Sequence, residues 1–329
     1  MITLLYPTLA ILIGFALLIW SADKFVLGAS NTARSFSISP LIVGVVIVGL
    51  GTSAPEMLVS SMAALDGNTG LSIGNAIGSN ITNVGLMLGL TALFYPLHIH
   101  SKLLKREMPV LLVIMAISYF LLLDQYLSFF DGLILLLMMF AMLGFTIWEA
   151  KNNGSDVLPQ EILDELPEEI SKGAALKWLV IGIIILIASS RLLVWGAVEV
   201  AEYFKVSDLI IGLTVVAIGT SLPELATTIA AARKKEFDLA VGNIVGSNMF
   251  NILAVMSLPG LIHPSSFEAS VLIRDYPVMF GLSLALLLFS IAWKKGKVGI
   301  LGRVEGALLL IAYIAYMFWL YKDTMATAL

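Results

Sequence analysis

Residues 51–83 of the chain read GTSAPEMLVSSMAALDGNTGLSIGNAIGSNITN, and residues 219–251 read GTSLPELATTIAAARKKEFDLAVGNIVGSNMFN. The two stretches align without a gap at an offset of 168 residues, and 14 of the 33 aligned positions are identical. A repeat of this kind indicates two units of the same architecture within one chain. We therefore predict that the fold consists of two copies of one unit, and each motif described below occurs in both.

The amino-acid composition is typical of a membrane protein. Hydrophobic residues make up 59% of the 329 residues and charged residues 13%, whereas soluble domains carry about 25% charged residues. The net charge of −4 gives no indication of a nucleic-acid partner, and the sequence lacks the cysteines needed for disulfides, thiol catalysis or cysteine-ligated metals. We therefore predict an all-α integral membrane protein in a lipid bilayer.

Ten apolar runs are long enough to cross a bilayer, which requires roughly 20 residues. Equivalent points of the repeat are five runs apart, an odd number, so the two units are predicted to have opposite orientations. We expect a first five-helix repeat at 1–150, an acidic loop at 151–173 and an inverted five-helix repeat at 174–329. The runs lie at 3–20, 40–63, 71–95, 107–123, 129–149, 174–200, 207–232, 238–262, 275–293 and 301–321.

The distribution of basic residues predicts the orientation, because Lys and Arg are concentrated in cytoplasmic loops. With the N-terminus outside, the inner loops hold 15 of the 19 Lys and Arg residues, and Lys205, Arg274 and Lys322 lie outside. Both termini are therefore predicted outside and the loop 151–173 cytoplasmic.

Inverted repeats are typical of secondary transporters, whose substrate site lies near the membrane midplane where the repeats meet. Some channels share this symmetry, so a cation channel stays open as an alternative. The sequence lacks a nucleophile–base pair and a set of His ligands, so an intramembrane enzyme is not expected.

Glu56 and Glu224 lie in the middle of the second and seventh runs, at equivalent positions of the repeat. A carboxylate at this depth costs at least ~2.5–3.5 kcal/mol on insertion scales, so it normally marks an ion or proton path. Two carboxylates brought together repel each other unless a proton or a cation lies between them. The two glutamates together balance the charge of one divalent cation.

Pro55 and Pro223 directly precede these glutamates and are predicted to break both helices. Proline lacks an N–H, and its ring clashes with the carbonyl four residues back. Backbone freed at membrane depth is tolerated where it lines a cavity or binds an ion. Neighbouring oxygens would then join each carboxylate as hard ligands of the kind that Ca²⁺ prefers. These oxygens belong to Thr52, Ser53, Thr220 and Ser221.

A second motif, GNxxGSNxxN, occurs at 74–83 and again at 242–251. Its polar residues at every fourth position form one stripe along a helix. For Ser79, Asn83, Ser247 and Asn251, the stripe facing the glutamates, we predict a role as ion ligands. Small and polar residues also mediate helix packing in membranes, so packing and ligation stay equally open for four others. These are Asn75, Asn80, Asn243 and Asn248.

The motifs GTSAPE and GSNITN, with GTSLPE and GSNMFN in the second unit, resemble those of the calcium/cation antiporter superfamily. The chain is most similar to the prokaryotic sodium/calcium exchangers, over essentially its whole length. The resemblance implies that the second, third, seventh and eighth runs form the ion site. It also implies that the first and sixth runs slide across this core during alternating access.

The resemblance assigns ligands as well. Calcium is expected between Glu56 and Glu224, and sodium is expected to share these carboxylates. The further ligands that the resemblance implies are the main-chain carbonyls of Thr52, Thr220, Gly49 and Ala217 and the hydroxyls of Ser53, Ser221, Ser79 and Ser247.

Asn251 departs from the pattern of the family, because sodium/calcium exchangers often carry Asp there and Asn at the repeat mate, here Asn83. With Asn at both positions the site keeps only the two glutamate charges, so exchange of three Na⁺ for one Ca²⁺ would be electrogenic. Potassium-dependent relatives carry Asp at both positions, and K⁺ cotransport is therefore not expected.

The sequence thus predicts a secondary antiporter that exchanges Na⁺ for Ca²⁺ across a prokaryotic plasma (inner) membrane, with no cofactor. A site inside one pseudo-symmetric chain needs no second subunit, so function as a monomer is expected. A proton/Ca²⁺ antiporter that uses the same glutamates stays open, and so, less favoured, does the cation channel.

Overall fold

The computed structural model of the chain describes residues 2–36, 51, 53–99, 101–152, 168–235, 237–291 and 299–328. Within these ranges the chain forms long helices joined by short connections. The helices are α1 (Ile2–Ser35), α2 (Ala54–Leu65), α3 (Thr69–Phe94), α4 (Ser101–Leu121), α5 (Phe129–Asn152), α6 (Lys172–Phe204), α7 (Asp208–Thr220), α8 (Leu222–Lys234), α9 (Phe237–Ile262), α10 (Val271–Ser290) and α11 (Arg303–Ala328).

Seven of the described helices are long and apolar enough to cross a membrane, namely α1, α3, α5, α6, α9, α10 and α11. The helices α7 and α8 together would form an eighth span with a bend of 40°. Helix α4 lies over the fourth predicted run, and α2 over the end of the second, whose residues 40–50 and Thr52 are outside the described residues. The count of ten crossings therefore stays a prediction.

The helix boundaries follow the sequence repeat. The starts of α2 and α3 at Ala54 and Thr69 recur at Leu222 and Phe237, the starts of α8 and α9, at the same offset of 168 residues. A π-helical turn also begins at equivalent positions within α3 and α9. Single π-helical turns inside α-helices are often found at functional sites. The two units therefore share their local structure as well as their motifs.

The two longest of the described helices, α1 and α6, pack against each other through glycines that are repeat mates. A Cβ atom at Gly28 would lie 2.2 Å from the backbone nitrogen of Leu179, and one at Gly196 would lie 2.7 Å from the carbonyl oxygen of Pro7. Early residues of α1 thus contact late residues of α6, so the two helices are antiparallel. Small residues allow backbones to approach this closely, as at many helix contacts in membranes.

Among the described helices that are long and apolar enough to cross a membrane, α3 and α9 are the most buried, whereas α5 and α11 expose large apolar side chains such as Phe140 and Phe318. Helix α3 contacts α7 at close range, because a Cβ atom at Gly74 would lie 2.4 Å from the carbonyl oxygen of Leu209. The repeated motifs therefore lie in the interior of the helix bundle, and the outer helices present apolar surface suited to lipid.

Among the described residues, four short strands connect the two units outside the helices. Strand β1 (Leu97–Ile99) pairs antiparallel with β4 (Gly299–Leu301), and β2 (Tyr126–Leu127) pairs antiparallel with β3 (Ser265–Ser266). These strands correct the prediction of an all-α chain in one detail. Strands of two or three residues are too short to produce the alternating pattern by which a strand is identified from sequence.

Candidate ion-binding site

Two helix starts place the predicted carboxylates inside the protein. Helix α2 begins after Ser53 and α8 after Ser221, and the backbone angles of these serines are nearly equal, at φ −90°, ψ 5° and φ −86°, ψ 5°. Pro55 and Pro223 lie in the first turn of each helix, where a missing N–H costs no helical hydrogen bond. Each glutamate thus also lies in a first turn, where the helix dipole favours a negative charge.

The side chains of Glu56 and Glu224 are fully buried, and one residue, Asn75, contacts both the main-chain oxygen of Glu56 and the hydroxyl of Thr220, one turn before Glu224. Neither carboxylate oxygen of Glu56 has a hydrogen-bond partner among the described residues, and the same holds for Oε2 of Glu224. A buried carboxylate that lacks a partner costs several kcal/mol, so a pair of them requires a compensating cation or proton.

Four neutral side chains that were predicted as ligands also have buried oxygens without partners. Within the described part of the chain, no hydrogen bond reaches Oγ of Ser53, Oγ of Ser221, Oδ1 of Asn83 or Oδ1 of Asn251. Leaving such an oxygen unpaired costs about 1–3 kcal/mol, and most buried polar atoms in proteins have a partner. Carboxylate, amide and hydroxyl oxygens of this kind are the ligands of hard cations, and Ca²⁺ takes six to eight of them.

The hydroxyls of three other predicted ligands already make hydrogen bonds to atoms of the protein. The Ser247 hydroxyl donates to Oε1 of Glu224 at 3.3 Å, and the Ser79 hydroxyl donates to Oδ1 of Asn75 at 3.5 Å. The Thr220 hydroxyl lies 3.1 Å from the carbonyl oxygen of Val216, one turn earlier in the chain. Because a hydroxyl oxygen can still accept while it donates, these contacts leave its lone pairs available to a cation.

The predicted carbonyl ligands are only partly described. Gly49 and Thr52 lie outside the described residues. The carbonyl of Ala217 is buried in α7, accepts the hydrogen bond of the Ser221 N–H at 3.2 Å and lies 3.5 Å from the Thr220 hydroxyl. A carbonyl oxygen has two lone pairs, so one of them is available to an ion when the Thr220 hydroxyl donates to Val216 instead.

Asn75 connects the two units at the site, a role that the sequence left open between packing and ligation. Its Nδ2 donates to the main-chain oxygen of Glu56 at 3.1 Å and to the Ser60 hydroxyl at 3.0 Å. Its Oδ1 lies 3.2 Å from the Thr220 hydroxyl of the other unit. Asn75 therefore joins the backbone of one glutamate helix to the helix break of the other unit.

Arg274, which lies just before the ninth predicted run, is buried inside α10. Its guanidinium pairs with Asp275 at 2.7 Å and with Asp323 at 2.8 Å, and the Tyr316 hydroxyl donates to Asp275 at 2.8 Å. Asp323 and Tyr316 belong to α11, so this network ties α10 to α11. The sequence suggests an ion pair between the neighbouring residues Arg274 and Asp275. Asp323 lies 49 residues away in the chain, too far to be recognised as a second partner of Arg274.

No group of three or more His, Asp or Glu side chains in the described part of the chain could hold a metal ion. A cation at the buried glutamates would thus be held by two carboxylates together with neutral oxygens. Such a mixed set of ligands is suited to ions that must bind and leave during transport.

Comparison with known proteins identifies the family. The family described as sodium/calcium exchanger protein matches residues 6–148 and 174–322 of the chain. The chain belongs to the sodium/calcium exchanger family. The predicted membership is thereby confirmed, and the two matched segments exclude the acidic stretch between them.

Relatives in this exchanger family cover almost the whole chain. CaxA of Alkalimonas amylolytica is 46% identical over 97% of this chain and 100% of its own length. The inner membrane protein YrbG of Escherichia coli (strain K12) is 42% identical over 96% of this chain and 98% of its own length. The apolar helices and these relatives show that the chain is a multi-pass membrane protein.

Solved structures of the sodium-calcium exchanger NCX_Mj have the same fold. The form soaked with 10 mM Na⁺ and 10 mM Sr²⁺ is 33% identical to this chain, with a TM-score of 0.63 over 95% of this chain and 97% of that protein. Membership of the exchanger family makes the chain a transporter and not an enzyme.

Proposed function

We propose that the chain is a secondary antiporter that exchanges Na⁺ for Ca²⁺ across the prokaryotic plasma membrane by alternating access. One observation carries the proposal: Glu56 and Glu224 are fully buried and have three carboxylate oxygens without a partner among the described residues. One Ca²⁺ between them would neutralise both charges and be coordinated by these oxygens. The antiport named for the family and for NCX_Mj agrees with this reading.

The neutral oxygens would serve Na⁺ as well as Ca²⁺. In a proton exchanger they would bind only Ca²⁺, because a proton binds to a single carboxylate oxygen. A Na⁺ exchanger needs further oxygens, and the Oγ atoms of Ser53 and Ser221 and the Oδ1 atoms of Asn83 and Asn251 are buried nearby without described partners. In this proposal the carbonyls of Gly49, Thr52, Ala217 and Thr220 and the hydroxyls of Ser79 and Ser247 complete the ion ligands.

We further propose that the ten helices form two inverted repeats at 1–150 and 174–329, joined by the loop 151–173. The recurrence of helix starts at an offset of 168 residues supports this arrangement, and so does the pairing of strands between the units. The charge distribution supports an outside location for both termini and a cytoplasmic loop. Because every proposed ligand belongs to one chain, a monomer suffices for transport.

Exchange of three Na⁺ for one Ca²⁺ would be electrogenic in this proposal. The two glutamates neutralise Ca²⁺ completely but leave one positive charge when three Na⁺ are bound. Asn83 and Asn251 are neutral, so they do not compensate that charge. Each cycle would therefore move one net charge across the membrane.

Calcium uptake into liposomes that contain the purified chain tests the counter-ion. Uptake is followed under an outward gradient of Na⁺, of K⁺ or of H⁺, with the membrane potential clamped. The proposal predicts uptake with the Na⁺ gradient alone. Uptake that ignores Na⁺ and follows the pH gradient would establish the proton/Ca²⁺ antiporter, and uptake without any counter-ion gradient would establish a channel.

A further inference from the structure

We infer that Asn80 and Asn248 are positioning residues, each of which turns an asparagine of the other unit so that its Oδ1 faces the transported ions. The asparagines turned in this way are Asn251 and Asn83. The inference rests on the proposed function, because it concerns how the neutral ligands of the same site are oriented.

The four asparagines form two hydrogen bonds that are equivalent under the repeat. Nδ2 of Asn251 donates to Oδ1 of Asn80 at 3.1 Å, and Nδ2 of Asn83 donates to Oδ1 of Asn248 at 3.0 Å. Asn80 and Asn248 are repeat mates, and so are Asn83 and Asn251, so the same contact is made twice between α3 and α9. All four side chains are fully buried or nearly so.

The amide of Asn80 has its orientation fixed by the backbone. Its Nδ2 donates to the main-chain oxygen of Asn248 at 3.3 Å. A main-chain oxygen can only accept, so Asn80 cannot reverse its amide without placing two acceptors against each other. Its Oδ1 must therefore face Asn251, and Asn251 must meet it with Nδ2. The Oδ1 of Asn251 is left on the opposite side of that amide.

The amide of Asn83 is fixed by a carboxylate instead. The hydroxyl proton of Ser247 is donated to Oε1 of Glu224 at 3.3 Å, so the Ser247 oxygen can only accept from its other neighbour. That neighbour is Nδ2 of Asn83, at 3.4 Å. With Oδ1 of Asn248 and Oγ of Ser247 both accepting from Nδ2, the Oδ1 of Asn83 has to point away from them.

Helix packing alone does not account for this arrangement. Packing through buried asparagines explains why Nδ2 of Asn80, Asn83 and Asn251 is paired. It does not explain why Oδ1 of Asn83 and of Asn251 are both left without a partner in the described structure. An amide that presents Nδ2 to a cation would repel it, and one that presents Oδ1 is a ligand. Fixing the amides therefore removes an orientation in which the site cannot bind an ion.

A double-mutant cycle between Asn80→Leu and Asn251→Asp tests the inference. Without Asn80 the amide of Asn251 can turn either way, so we expect the concentrations of Ca²⁺ and Na⁺ for half-maximal exchange to rise about tenfold, with the maximal rate changed much less. An aspartate carries an oxygen on both sides and needs no orientation, but one of these oxygens faces Oδ1 of Asn80, another acceptor. In the Asn251→Asp background, Asn80→Leu removes this repulsion and should therefore lower these concentrations or leave them unchanged.

Two controls make the cycle decisive. Ser72→Ala removes another buried bond between α2 and α3, from the Ser72 hydroxyl to the main-chain oxygen of Ser60 at 2.7 Å, and should leave the ion concentrations unchanged. The cycle between Asn248→Leu and Asn83→Asp should show a smaller effect, because Ser247 still accepts from Nδ2 of Asn83. Asn80→Ala replaces Asn80→Leu in the first cycle if Asn80→Leu does not fold, as judged by its thermal unfolding.

An unchanged Ca²⁺ affinity in Asn80→Leu would overturn the inference, and so would an equal loss of affinity in the Asn251→Asp background. Failure of the proposed function gives a different result. If the unmodified chain exchanges Ca²⁺ for H⁺ rather than Na⁺, the sodium proposal fails, whereas the Ca²⁺ affinities of the cycle still test the orientation of the amides.

Discussion

Glu56 and Glu224 are buried without a basic partner in any ion pair that involves only described residues. Burial of two carboxylates costs several kcal/mol each, a cost that packing around them cannot offset. The pair is therefore expected to be most stable when a cation lies between the carboxylates. This dependence on a bound cation is useful in a transporter, because states of the protein with an ion in the site are then more stable than the state with an empty site.

The serine hydroxyls allow the two ions to be distinguished. Ser53→Ala and Ser221→Ala each remove one buried oxygen that has no described partner. Na⁺ carries a smaller charge and depends more on neutral oxygens, so we expect the Na⁺ concentration for half-maximal exchange to rise about three- to tenfold and that for Ca²⁺ to rise less. The measurement is Na⁺-driven Ca²⁺ uptake at varied concentrations of each ion.

Ser257→Ala is the matched control for these serines. The Ser257 hydroxyl is also fully buried, but it donates to the carbonyl oxygen of Ala254 in its own helix at 2.7 Å. Its loss should leave both concentrations unchanged. An equal shift in Ser257→Ala, or no shift in Ser53→Ala, would contradict the assignment of the serines as ion ligands.

At the scale of elements, the contact between α1 and α6 depends on the absence of a side chain. A Cβ atom at Gly28 would lie 2.2 Å from the backbone nitrogen of Leu179, a distance that backbone atoms cannot relieve without moving the helices apart. We expect Gly28→Ala to destabilise the protein by about 1–3 kcal/mol and to lower the rate of exchange. Thermal unfolding in detergent and uptake in liposomes measure the two effects.

Gly173→Ala, in the first turn of α6, is the control for this substitution, because nothing lies within 4 Å of the added Cβ atom. It should leave unfolding and uptake unchanged. If Gly28→Ala behaves like Gly173→Ala, the close packing of α1 and α6 does not contribute to stability or transport.

The sequence predicted the paired helices well because their decisive residues are local. A proline directly before each glutamate sets both helix starts, and the same motif occurs twice, so Ser53 and Ser221 have nearly equal backbone angles. Contacts between distant segments could not be predicted. Examples are the ion pair of Arg274 with Asp323 and the pairing of strands β1 and β4. The partners are far apart in the chain, so no sequence pattern identifies them.

The orientation of the asparagine amides also could not be predicted from the sequence. The motif GSNxxN identified Asn80 and Asn83 as candidates, but it did not separate a ligand from a packing residue. That distinction depends on which amide atoms have partners. Oδ1 of Asn80 accepts a hydrogen bond, whereas Oδ1 of Asn83 has no partner among the described residues.

At the scale of the whole molecule, the proposed topology can be tested because the chain contains no cysteine. Asp124→Cys follows α4 and is predicted outside, and Ser171→Cys precedes α6 and is predicted in the cytoplasm; both native side chains are exposed. We expect a membrane-impermeant maleimide to label Asp124→Cys in intact cells and Ser171→Cys only after permeabilisation. The unmodified chain, which has no thiol, is the control.

Labelling of Ser171→Cys but not of Asp124→Cys in intact cells would reverse the proposed orientation. Labelling of both positions in intact cells would place the ends of α4 and α6 on one side, which conflicts with an odd number of crossings between them. The two outcomes therefore separate an error of orientation from an error in the count of membrane spans.

The most direct test of the central claim, a Ca²⁺ site shared by the two buried glutamates, is Na⁺-driven Ca²⁺ uptake by Glu56→Gln and by Glu224→Gln in liposomes. Each substitution keeps the size of the side chain and removes one of the two charges that balance Ca²⁺. Glu202→Gln, which changes an exposed glutamate of α6, is the control. We predict uptake by the unmodified chain and by Glu202→Gln and none by either site variant; near-normal uptake by Glu56→Gln or Glu224→Gln would contradict the account.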